Sequence, residues 1–125
     1  MQYLCLVYVE EAKFDAMTQA EIDVIEDESL TNDRELEEAG HLIMAQALES
    51  VKTATTVRMR NGKLSTTDGP FAETKEQLGG FVFIDANDLN EAIRIASRIP
   101  LARIGTIEVR PAMDLLGKVR ERPPR

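Results

Sequence analysis

The sequence predicts an α+β domain with a ferredoxin-like order of elements, β-α-β-β-β-β-α-β, in which the third and fourth strands form an inserted hairpin. Three observations lead there. Two segments with apolar residues at helical spacing each begin with a capping-box sequence, Thr18-Gln19-Ala20-Glu21 and Asp88-Leu89-Asn90-Glu91. Short runs rich in Val, Ile, Tyr, Phe and Thr stand before, between and after them. Asn61-Gly62 separates two such runs and favours the type I′ turn, whose central residues both need positive φ.

Each element has its own warrant. Residues 2–9 are a short apolar run between polar ends, as expected of a central strand covered on both faces. The first helix is expected over 19–39, with Ile22, Ile25, Ser29, Leu36 and Ala39 on one side and Gly40 supplying the left-handed residue that ends it. Residues 41–48 read as the second strand. Residues 55–60 and 63–67 read as the hairpin arms, and 80–85 as the next strand. The second helix places Leu89, Ala92, Ile93, Ala96 and Ile99 on its apolar stripe, and Pro100 stops it by removing an amide donor. Residues 106–110 form the last strand. The domain therefore covers 1–111, and 112–125, with Pro123-Pro124 and scattered arginines, is expected to be an extended tail or to pack on a partner subunit through Met113, Leu115 and Leu116.

Two helices on one face of a single sheet leave the other face bare, and no elements remain to cover it. A second copy of the sheet is the simplest cover, so a homodimer is expected.

The 125 residues fit one domain, and composition excludes several function classes. No apolar run approaches the ~20 residues that a membrane-spanning helix needs. Met1 leads into a strand pattern without a basic leader, so the expected compartment is the cytoplasm. Acids outnumber bases 13 to 2 in residues 1–50, whereas bases lead 13 to 9 in 51–125, so net charges of −11 and +4 make up the overall −7. An acidic half of this kind opposes nucleic acid, which needs a contiguous basic face. One Cys and one His fall short of the three or four ligands of a zinc site, and no glycine spacing matches a phosphate-binding loop, so neither metal nor cofactor is expected. Cys5, on the first strand, reads as a small buried thiol.

The least ordinary stretch is Asp68-Gly69-Pro70-Phe71-Ala72-Glu73-Thr74-Lys75-Glu76-Gln77-Leu78-Gly79-Gly80-Phe81. Gly69 before Pro70 is expected to take extended angles, while Gly79-Gly80 allows a neighbouring backbone or ligand to come close. This run resembles the signature of the YCII-related proteins, in particular the branch named DGPF-domain proteins after its Asp-Gly-Pro-Phe. Residues 1–8, Ala39-Gly40-His41-Leu42, residues 53–58 and residues 99–111 share the resemblance. It implies a dimeric α/β barrel, in which two sheets close against each other, and a ligand cleft beside the signature run.

Asp68, at the start of the turn, could act as a base, orient a histidine or bind a ligand donor; equally, its carboxylate could only accept from the turn amides. His41 is the only histidine and the only side chain suited to proton transfer near neutrality. Its place directly after Gly40 equally suits an interaction with free carbonyls at the helix end. The catalytic candidates are therefore Asp68 and His41. Ser29 lies on the first helix about where many YCII-related proteins carry histidine, so it is either a ligand contact or a small polar filler bonded to its own helix. Gly69, Pro70 and Phe71 complete the rim of the cleft, and Lys75 could bind a carboxylate or phenolate. The resemblance implies cofactor-independent, lyase-like chemistry on a small polar or aromatic molecule. DGPF proteins also resemble partners of extracytoplasmic-function sigma factors, which implies a non-catalytic ligand-sensing or regulatory module as the alternative.

Overall fold

The structure, a computed structural model, describes residues 1–124. In chain order its elements are β1 (Gln2–Val9), α1 (Glu11–Asp15), α2 (Gln19–Glu38), β2 (Leu42–Ala47), β3 (Thr55–Arg60), β4 (Lys63–Asp68), β5 (Gln77–Asp85), α3 (Leu89–Ser97), β6 (Thr106–Pro111) and α4 (Leu115–Arg120). Four strands form an antiparallel sheet ordered β2-β5-β1-β6, compatible with a ferredoxin-like α+β fold, and β3 and β4 form a separate two-stranded sheet. Thus β1 is central, with a hydrogen-bonded neighbour on each side, but within one chain only one of the two faces expected to be covered is buried.

The local signals act as their chemistry dictates. Thr18 Oγ1 accepts from Glu21 N at 3.2 Å, and Glu21 returns a carboxylate oxygen to Thr18 N, completing the capping box of α2. At its other end Gly40 has φ +80°, His41 N donates to Leu36 O and Gly40 N to Glu37 O, the two bonds of a Schellman motif. Asn61 and Gly62 have φ of 53° and 73°, as a type I′ hairpin turn needs.

Four expectations need correction. The second capping box is half formed: Asp88 accepts from Glu91 N at 2.8 Å, but the Glu91 carboxylate turns to Asn87 N at 2.9 Å. On α3 the buried residues are Ala92, Ile95 and Ala96, continued by Ile99, while Leu89 and Ile93 lie on the flank and are about half exposed. At 100° per residue, 92, 95, 96 and 99 make the tighter stripe. The fifth strand begins at Gln77 rather than residue 80, so the last part of the signature run is sheet. Finally, the expected extended tail contains α4, started by Asp114 accepting from Gly117 N at 2.9 Å. The short helix α1 carried no periodic signal.

The core lies between the sheet and the helices. Tyr3, Cys5, Val7 and Val9 of β1, with Val82 and Ile84 of β5, meet Ala92, Ile95, Ala96 and Ile99. Cys5 and Ile84 are fully buried, and burial pushes the Cys5 thiol up to about 11, so it is a packing residue without thiolate character at neutral pH. The alternate residues Leu4, Leu6, Tyr8, Phe81 and Phe83 point to the opposite face, which α2 and α3 leave uncovered.

The long α2 contributes one buried residue, Leu36, near its C-terminal end. It rests on β2 and on the 3-10 turn Pro100–Arg103, at the margins of the sheet. Its earlier turns stand off, and that separation makes the space described next.

Candidate functional site

A cavity of about 580 Å³ lies between α2 and the sheet, within the size range of small-molecule sites. Val7, Phe14, Ile22, Ile25, Val82 and Leu101 supply apolar wall. Across them runs a polar line on α2: Glu26, Ser29, Asn32 and Asp33. At 1.5 Å rise per residue, Glu26 and Asp33 are about 10 Å apart along the helix, with Ser29 between them.

Among the described residues, neither the Ser29 hydroxyl nor the Asp33 carboxyl has a hydrogen-bond partner, although both are only partly exposed. Ser29 is thus not tied back to its own helix. Burial pushes the Asp33 carboxyl above its ordinary value, because its ionised form is poorly solvated there. Asp33 was not singled out by sequence reasoning, yet a signal existed. The stripe Ile22, Ile25, Ser29, Leu36 skips one turn, and the residues filling the gap are Asn32 and Asp33.

The Asp33 shift has a measurable consequence. A carboxyl whose folded pKa is raised holds its proton longer in the folded than in the unfolded chain, so its contribution is greatest below the unfolded value. It is lost as pH rises through the folded value. Asp33→Asn should therefore raise the melting temperature at neutral pH and leave it nearly unchanged below the ordinary Asp range. A melting series against pH checks both limbs.

The signature run touches the cavity only at its end. Gly79 and Gly80 line it, whereas Asp68, Gly69, Pro70, Phe71 and Lys75 do not. A Cβ on Gly80 would lie 2.7 Å from Gln46 O, and one on Gly79 would lie 2.9 Å from a Val9 methyl. These glycines permit close strand packing beside the cavity. Asp68 ends β4 opposite Thr55. Gly69 has φ +100°, not the extended angles expected before proline, so glycine is needed here for its missing Cβ. Its amide donates to Ala54 O at 2.7 Å, and its carbonyl accepts from Thr56 Oγ1 at 2.8 Å. Phe71 is 79% exposed, and Lys75 is exposed as well. Gln77 Nε2 donates to the carbonyls of Ala72 and Thr74, folding the run onto itself.

His41 occupies another region. Its Nδ1 lies 2.8 Å from the Asp85 carbonyl, which can only accept, so that nitrogen carries the proton. Glu91 Oε1 is 3.9 Å from the same atom. Asp85 ends β5, whereas Asp68 connects through Gly69 and Ala54 to the segment that Glu11 anchors by bonds from Ser50 and Val51, just beyond the other end of the sheet. Nine-residue β5 spans about 26 Å between those ends, so one chain does not bring Asp68 and His41 together.

Fold and site together define an α+β chain, compatible with a ferredoxin-like fold, with a ligand-sized cavity under its long helix. The chain belongs to the YCII-related family: the model of the YCII-related domain matches residues 1–116. It is also 37% identical over 113 residues to an uncharacterized protein of Rhizobium meliloti (strain 1021), covering 89% of this chain and 91% of that one.

Proposed function

We propose that this protein binds a small, partly aromatic molecule in the cavity between α2 and the sheet, with Ser29 as a hydrogen-bonding contact and the Asp33 carboxyl as the acid–base group. One observation carries this reading: an apolar space of about 580 Å³ holds an unbonded hydroxyl and a carboxyl raised by burial, one helical turn apart. A half-buried carboxyl beside a free hydroxyl can give or take a proton, which suits cofactor-independent, lyase-like chemistry. Asp68 or His41, which a single chain holds apart, is the competing acid–base group, and Gly69, Pro70, Phe71 and Lys75 are the competing rim.

A thermal-shift screen against small aromatic acids, phenols and amines, with product analysis of each hit, tests the proposal. The expected result is a ligand-dependent rise in melting temperature, and conversion that Asp33→Asn lowers by about a hundredfold or more, within the usual contribution of a general acid or base. Loss of conversion in Asp68→Asn, with Asp33→Asn active, would move the chemistry to the signature run. Binding without product would make the protein a sensor.

The uncovered sheet face supports a homodimer closed sheet to sheet. Leu4, Leu6, Tyr8, Phe81 and Phe83 form an apolar surface there that a second copy would bury. Light scattering should give twice the chain mass. Phe81→Asp should weaken association by about a hundredfold or more, since a carboxylate would be desolvated without a partner. A monomeric wild-type chain at micromolar concentration would refute the dimer.

A further inference from the structure

We propose that the ligand of this cavity is a small amine, bound as its ammonium ion with its apolar body between α2 and the sheet. This rests on the reading of the cavity as a ligand site and adds the charge of what it takes. The lining includes two carboxylates, Glu26 and Asp33, and among the described lining residues there is no Lys, Arg or His. The remaining polar side chains, Ser29, Asn32 and Gln46, include oxygen acceptors suited to N–H donors. A carboxylate or phenolate would therefore face like charge with no cation to balance it.

The surroundings reinforce that sign. Helix α2 carries nine acids and one base. Two cations near the cavity are engaged elsewhere: Arg103 pairs with Glu28, and Lys13 lies 3.8 Å from Glu10 and bonds the Ile104 carbonyl. Apolar walls lower the local dielectric, so attraction between an ammonium and Asp33 is stronger there than on an open surface. Ile22, Ile25, Phe14 and Val82 would take the hydrocarbon part, and the Ser29 hydroxyl, one turn from Asp33, would accept a second ammonium hydrogen.

Three probes of nearly equal shape separate the possibilities: phenethylamine, phenethyl alcohol and hydrocinnamate, titrated calorimetrically into the full chain at low and high salt. The expected result is an amine bound about tenfold tighter than the alcohol at low salt, an advantage reduced by salt, with the acid weakest. Asp33→Asn should erase the advantage of the amine while leaving the affinity for the alcohol in place. If that variant fails to fold by circular dichroism, Glu26→Gln, altering an exposed side chain, should reduce the advantage. Equal affinity for amine and alcohol, tighter binding of the acid, or an advantage that survives carboxylate removal would overturn the amine assignment and leave the cavity reading intact. No binding of any probe would overturn both.

Discussion

Ser29→Phe is expected to weaken the binding of any ligand of the cavity by about a hundredfold or more without lowering the stability of the protein. Ser29 sits between Glu26 and Asp33 on the cavity wall, so a phenyl ring there would occupy the space a ligand needs. The same ring would bury against Ile25 and Val82, and filling a void commonly adds about 0.5–2 kcal/mol of stability. Loss of affinity with an unchanged or higher melting temperature is the discriminating pattern. Calorimetric titration of any screening hit, beside a melt of the unliganded variant, gives both readings. Full affinity in Ser29→Phe would place the ligand outside the cavity.

Gly80→Ala is expected to have the largest effect on stability for the smallest change in atoms. A Cβ at Gly80 would stand 2.7 Å from Gln46 O and 3.2 Å from Ala47 Cα, both backbone atoms of the paired strand β2. No side chain can rotate away to relieve the clash, so the strands must separate. Overpacking of this kind costs about 2 kcal/mol, or roughly 8 °C in melting temperature for a domain of this size. Gly40→Ala is the useful contrast, because its Cβ would meet open space and its cost would come only from φ +80°. That is about 1 kcal/mol. If Gly80→Ala melted no lower than Gly40→Ala, the close approach of β2 to β5 would be refuted.

These glycines also mark where the sequence could and could not be read. Asn61-Gly62, Thr18 and Gly40 act through bonds to residues within a few positions, so their turn, cap and helix end were legible without knowing the fold. Gly79-Gly80 looks like a loop for the same local reason, yet it lies in β5, where the constraint comes from β2 and from Val9, distant in sequence. Asp33 was hidden differently. Among the acids of α2 it resembles one more solvated charge, and only the stand-off of the helix from the sheet makes its position distinct. Leu89 and Ile93 are as apolar in sequence as Ile95, and only the packing of α3 on β6 and the shared core selects Ile95 for burial. Separation of His41 from Asp68 was invisible too, since both flank elements whose ends are fixed only by sheet register.

The hairpin of β3 and β4 shares no ladder with the main sheet, and nearly all its side chains face solvent. Its hydrogen bonds therefore form a cooperative unit of their own, able to open while β1 and β5 stay paired. Because the chain passes from that unit straight into Gly69-Pro70, each opening also releases the first turn of the signature run. The shape of that run thus carries the lifetime of a local fluctuation rather than that of the whole fold, and whatever binds there draws on the closed fraction and slows hydrogen exchange in an arm it need never touch.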